Sequence, residues 1–179
     1  MNNEIKKIKD DDFFYKIYKR DVLLCSDSEI ENRLVKIKKN SRYFFDYKWS
    51  KSNLTIKTKL FENTNRKITM KHLVSLAIYL DRIHRKNHFH GDIHERNIII
   101  DNQKLFLIDW EPCFIQKLFG KRIIKSHYEG IATEDKKNKR ISTLTDKKGF
   151  LKLLPIKYHK LIDTNLMSTF SCSQLLNSI

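Results

Sequence analysis

Only four glycines and two prolines occur in the 179 residues, which excludes collagen-like and linker-like chains. No stretch approaches the ~20 uninterrupted apolar residues of a membrane span, so none is expected. The opening MNNEIKKIKDDDFFYK lacks the apolar central stretch of a secretory signal. The three cysteines, Cys25, Cys113 and Cys172, are odd in number and far apart, so a disulfide framework or a Cys-rich zinc site has no support. A reducing, cytoplasmic setting is the simplest expectation. Acidic residues are also scarce: 21 Asp and Glu face 36 Lys and Arg, a net charge of +15. Such a field draws phosphates of any kind. The excess is mostly Lys and is spread along the chain, which fits a solvated lysine surface better than specific nucleic-acid binding. An anionic substrate, an acidic partner or a phosphate-bearing cofactor suits the same field. With 40% hydrophobic and 32% charged residues, the chain can pack one domain or a small two-lobed one.

The segments alternate in character. FFYKIY at 13–18 is aromatic and β-branched and reads as a strand. Ser26 and Glu29 form a capping box that opens a helix running to about Lys39, with Ile30, Leu34, Val35 and Ile37 on its apolar side. Residues 42–49 and 54–61 read as paired strands joined by the polar turn 50–53. From Thr69, Leu73, Leu76, Ala77, Leu80 and Ile83 recur at helical spacing. Two short apolar runs, 98–100 and 105–108, flank the turn residues 101–104 as a hairpin. Residues 111–145 read as irregular and basic, a last helical region begins near Asp146, and the tail after Lys160 is weakly patterned. This order is α+β rather than a repeated βαβ wind.

Chemistry concentrates in His90-Gly91-Asp92-Ile93-His94-Glu95-Arg96-Asn97, followed by the hairpin and then Asp109-Trp110-Glu111. A carboxylate and a carboxamide five residues apart, in a loop entering a strand, can point into one cleft. Asp92 suits a proton acceptor for a hydroxyl nucleophile, and Asn97 offers an oxygen to a hard cation. Asp109 returns to the same cleft as a second hard ligand. Mg²⁺ takes few protein carboxylates and completes its shell with water and phosphate oxygens.

These residues resemble the protein-kinase-like superfamily, in which H-x-D-x-x-x-x-N is followed, after a hairpin, by a D-F-G-type triplet. The resemblance spans 13–154 and is strongest over 88–111. Gly130-Ile131-Ala132-Thr133-Glu134 stands where the A-P-E motif closes the activation segment, and Asp146 where a helix-start Asp ties back to the catalytic loop. The resemblance implies a two-lobed α+β fold, with a reduced N-lobe over 1–62 and a truncated, mostly helical C-lobe over 63–179. It implies ATP and Mg²⁺ as cofactors. Asp92 is then the catalytic base, and Asn97 and Asp109 hold the metal. Lys16, fixed by Glu31, positions the α and β phosphates. His94 donates to the γ-phosphate, and Glu62 with Asn63 forms the connector beside adenine. The implied activity is transfer of the γ-phosphoryl group to a hydroxyl, with Ser or Thr of a protein first, because of the 130–134 motif. The same H-G-D-x-H-x-x-N wording is shared by small sugar or lipopolysaccharide kinases, and minimal kinases of this kind include ones that bacterial pathogens deliver into host cells.

Departures from the pattern also carry expectations. Only twelve residues precede Phe13, too few for the usual glycine-rich hairpin, so phosphate enclosure falls to Lys6, Lys7 and Lys9 or to a partner. Gly91 replaces the Arg that meets a phosphorylated activation segment, which implies that no such switch is needed. Trp110-Glu111 replaces Phe-Gly. The chain stops about thirty residues after Asp146. Two further readings stay open: a small-molecule (sugar, lipid or antibiotic) kinase, and a non-catalytic pseudokinase scaffold. A zinc cluster among His84, His88, His90 and His94 lacks an H-E-x-x-H motif and any cysteine nearby in sequence.

Overall fold

The protein is described from a computed structural model, over residues 5–23, 26–61, 67–110, 142–159, 167 and 169–178. Strands β1 (Ile5–Lys9), β2 (Phe13–Lys19), β3 (Phe45–Trp49) and β4 (Asn53–Lys59) form one antiparallel sheet in the order β1-β2-β4-β3. Residues opposite one another across a ladder share a face. The register therefore sets Lys7, Lys16, Ile56 and Tyr47 in one row across the four strands. Strand β1 departs from the sequence expectation, which began the sheet at Phe13. Its hairpin turn carries no glycine; Asp10 builds it instead. The Asp10 carboxylate accepts from the Asp12 and Phe13 amides at 3.1 and 2.6 Å and from the Tyr15 hydroxyl at 2.7 Å.

Helix α1 (Asp27–Asn40) starts at the expected capping box: Ser26 Oγ accepts from the Glu29 amide, and the Glu29 carboxylate from the Ser26 amide. Ile30, Leu34 and Ile37 are fully buried, whereas Val35 is half-exposed and off the apolar face. Helix α2 (Met70–His84) buries Leu73, Leu76, Ala77, Leu80 and Ile83, as its periodicity predicts. Strands β5 (Ile98–Asp101) and β6 (Lys104–Leu107) pair as the expected hairpin, with Asn102 and Gln103 at φ 46° and 63° in its turn.

Helix α3 (Thr143–Leu153) begins three residues before the expected Asp146, because Ser142 and Thr145 cap it reciprocally. A single turn, α4 (Ile156–His159), follows. Helix α5 (Cys172–Asn177) lies in the tail that read as weakly patterned; Asp81 of α2 caps it by accepting from the Cys172 and Ser173 amides at 2.7 and 3.0 Å. One hydrophobic cluster joins α1, the sheet, α2, the β5–β6 hairpin, Trp110 and α3. Burying each such side chain contributes about 1.5–3 kcal/mol, so this shared core fixes the sheet against the hairpin and thereby frames the cleft between them. Among the described residues, no helix is long and apolar enough to cross a membrane.

Candidate active site

The loop over 88–97 is held from beneath by Asp146. This fully buried carboxylate accepts from the His90 amide at 2.8 Å, the Gly91 amide at 2.6 Å and His84 Nε2 at 2.9 Å. Burial alone would raise its pKa, but the hydrogen bonds from His84 and the Gly91 amide offset it and hold the group below the usual carboxylate range. The tie to the loop backbone expected of Asp146 is thus present. Gly91 takes φ 97°, a left-handed backbone that a Cβ would oppose, which accounts for glycine between His90 and Asp92.

His90 joins the two chemically important stretches. Its Nδ1 accepts from the Asp92 amide at 3.1 Å, while its Nε2 donates to the carbonyl of Ile108, the neighbour of Asp109, at 2.7 Å. Complete burial pushes its pKa down, so the ring is neutral, in the tautomer these two bonds require. A second tie runs from the Ile108 amide to the Asn97 carbonyl at 2.9 Å. Asn97 in turn donates from Nδ2 to the Asp92 carbonyl at 2.9 Å and to Asp92 Oδ2 at 3.3 Å. His94 Nε2 lies 3.5 Å from the same carboxylate oxygen. Asp92, His94 and Asn97 therefore form one group, and one backbone bond, with the His90 ring beside it, attaches the strand leading to Asp109 to it.

Asp109 sits at φ 61°, in the left-handed region that Asp tolerates, and its side chain is 45% exposed. It borders a cleft of about 240 Å³ between the sheet and the β5–β6 hairpin. Its lining mixes apolar side chains, Phe14, Leu60, Phe61, Ile99 and Ile108, with the lysines Lys7, Lys9, Lys16 and Lys59. Phe61 packs edge-on against Tyr43 and tilts against Phe106, at 5.6 and 5.1 Å between ring centroids. Lys16 Nζ donates to Asp109 Oδ1 at 2.8 Å. Partial burial of Asp109 favours its neutral form, but the Lys16 ammonium more than offsets this and keeps the carboxyl below its ordinary value.

The expected Lys16–Glu31 pair is corrected by this geometry. Both Glu31 oxygens are engaged elsewhere, accepting from the Tyr47 hydroxyl at 2.5 Å and the Trp49 indole at 2.9 Å. The sheet register supplies the reason: Tyr47 and Lys16 flank Ile56 on opposite sides, so β3 and β2 lie two strand spacings apart, about 10 Å. Glu31 faces the β3 end of that row, and Lys16 turns to Asp109. Burial, followed by the Glu31 bond, pushes the Tyr47 hydroxyl up to about 12. Glu62, Asn63 and the 130–134 motif lie outside the described residues. Lys7 and Lys9 border the cleft.

The residue that links α1 to the loop is Arg33, which the sequence did not single out. It bonds to His88 Nδ1 at 2.7 Å and to the Phe89 carbonyl, and its guanidinium lies 4.4 Å from the Phe89 ring centroid. His88 stacks on the fully buried Trp110 at 5.1 Å between centroids, with the rings 7° from parallel. Trp110 anchors itself by donating to the Leu107 carbonyl at 2.7 Å. The available signal was Arg33 two positions from Glu31 on a helix otherwise rich in surface Lys, and it is weak.

No protein-family model and no curated protein matches the chain. Among solved structures, it is similar to the kinase PK-1 of the Cydia pomonella granulovirus, with a TM-score of 0.50 at 17% sequence identity. The match covers 78% of this chain and 58% of that one, so the chain spans less than two thirds of that kinase. At such identity the likeness speaks to architecture, and together with the sheet, helices and loop above it gives the conclusion that this chain has a protein-kinase-like α+β fold.

Proposed function

We propose that the chain is an ATP- and Mg²⁺-dependent phosphotransferase that moves the γ-phosphoryl group to a hydroxyl, with Ser or Thr of a protein as the first acceptor class. The observation that carries this is the joining of the Asp92–Asn97 group to the Asp109–Lys16 cleft through His90 and Ile108. On this reading residues 1–62 act as the N-lobe and 63–179 as the C-lobe.

The donor set suits a hard cation. Two bonds from Nδ2 fix the Asn97 carboxamide and reserve Oδ1 as an acceptor, and Asp109 is kept ionised. One carboxylate and one carboxamide match the demand of Mg²⁺ for few protein ligands beside phosphate oxygens. When bound, the ion neutralises charge on the transferring phosphates. The protein's own part is positioning and electrostatics. Lys16, Lys7 and Lys9 meet the phosphate chain, and the apolar residues about Phe61, next in sequence to Glu62, take the base. Asp92 accepts the proton of the attacking hydroxyl, with His94 beside it. Glu31 braces β3 and has no phosphate to position.

The test is incubation of the full chain with radiolabelled ATP, Mg²⁺ and generic protein acceptors, beside Asp92→Asn and Asp109→Asn. Transfer by the parent and loss in both folded variants is expected; equal transfer by the variants sinks the mechanism. The H-G-D-x-H wording supports a second acceptor class, small hydroxylated molecules, and a panel of these in the same assay separates the two. A scaffold reading is favoured by the glycine-free turn at Asp10, and predicts a thermal shift with ATP but no transfer.

A further inference from the structure

Next to Asp146, three side chains of different chemistry converge. Asp81 and His84 stand three residues apart on α2 and so share a face, and Cys172 opens α5 against them. One ligand atom from each lies within 4.8 Å of the others. We propose that Asp81, His84 and Cys172 form a divalent-metal site of the zinc class, with a fourth position open to water.

Zinc bonds of about 2.0–2.3 Å place ligand atoms roughly 3.3–3.8 Å apart in a tetrahedron. The present spacing, within 4.8 Å, exceeds that by at most about 1–1.5 Å. His84 Nε2 donates to the buried Asp146 carboxylate at 2.9 Å, which leaves Nδ1 as the lone-pair nitrogen. A carboxylate holding the remote nitrogen of a ligand histidine is the usual outer support of a metal centre. The helix cap does not use up Asp81: its two backbone bonds leave further lone pairs on the carboxylate.

Thiolate and imidazole select zinc-like ions over Mg²⁺ or Ca²⁺. Thiolate and carboxylate together balance the two charges of the ion, and the thiol proton leaves to solvent. An opening of about 360 Å³, bordered by Asp81, His84, Arg85, Lys147 and Ser171, reaches the Asp81 and His84 side of the site. A bound ion would clamp α5 to α2 and, through His84 and Asp146, stiffen the backbone at His90 and Gly91. This site is independent of the phosphotransfer reading.

The test uses the full chain, stripped with chelator and titrated with Co²⁺ as a coloured stand-in and then with Zn²⁺. One equivalent of Co²⁺ should produce a thiolate-to-metal charge-transfer band that Zn²⁺ abolishes, and Zn²⁺ should raise the melting temperature. The Cys25→Ser/Cys113→Ser variant leaves Cys172 intact as its one thiol and should keep the band. Absence of the band in the parent, or its loss in that double variant, overturns the site. X-ray absorption of the zinc-loaded parent should show one sulfur ligand; none, or more than one, overturns it equally.

Discussion

Lys16 and Asp109, 93 positions apart in sequence, meet at 2.8 Å across the cleft. The ammonium that would receive phosphate and the carboxylate that would receive a cation thus satisfy one another, and Glu31 stands outside the pair. Lys16→Met should therefore weaken ATP binding at least tenfold, about 1.4 kcal/mol. Glu31→Gln should leave ATP affinity within about threefold, while the altered bonds to Tyr47 and Trp49 cost about 1.5–3 kcal/mol of stability. Calorimetric titration and urea unfolding of both variants check the split; equal losses of affinity would restore the Lys16–Glu31 pairing.

His88 makes the fold sensitive to mild acid. Burial first, and the Arg33 charge second, lower its pKa to about 3. Unfolded, the imidazole titrates near 6.5, so between those values the unfolded chain binds the extra proton. Stability should therefore fall as pH drops below about 6.5, by up to about 1.4 kcal/mol per pH unit from this residue. His88→Phe keeps a ring against Trp110 and should reduce the slope by about one proton, as read from urea midpoints between pH 7 and 5.

Asp146→Asn should cost about 1.5–3 kcal/mol, because one amide oxygen cannot replace two charged acceptors serving His84, His90 and Gly91. Any phosphoryl transfer should slow through kcat with the KM for ATP little changed, since Asp146 touches the loop backbone and does not border the cleft. Steady-state kinetics with denaturation curves separate the two effects.

Gly91→Ala should destabilise by about 1–2 kcal/mol, the cost of a left-handed backbone with a Cβ. Chemical denaturation measures it, and an unchanged midpoint would show that the turn relaxes to negative φ.

Features set by neighbours in sequence were legible. The Ser26–Glu29 box, the α2 periodicity and the Asp101–Lys104 turn are local patterns, and each formed where it was read. Features set by register and tertiary contact were not. Nothing in the helix sequence tells that Glu31 faces β3, although Tyr47 and Trp49, two residues apart on one strand face, both bring polar tips that need an acceptor. Strand β1 escaped notice because its lysines interrupt the apolar run. Helix α5 is too short to show a period, and its start depends on Asp81, 91 positions away. Arg33 reads as one more surface cation until His88 and Phe89 are placed beside it.

The Asp10 turn has a consequence for any polyphosphate entering the cleft. The amides of Asp10, Asp12 and Phe13 are already spent on internal bonds, to the Phe13 carbonyl and the Asp10 carboxylate. Grip on the anion then falls to lysine ammonium groups, whose attraction is long-ranged and undirected. Dissolved ions blunt such attraction within about 8–10 Å at ordinary ionic strength. Brine, more than any rearrangement of the hairpin, becomes the competitor for that pocket.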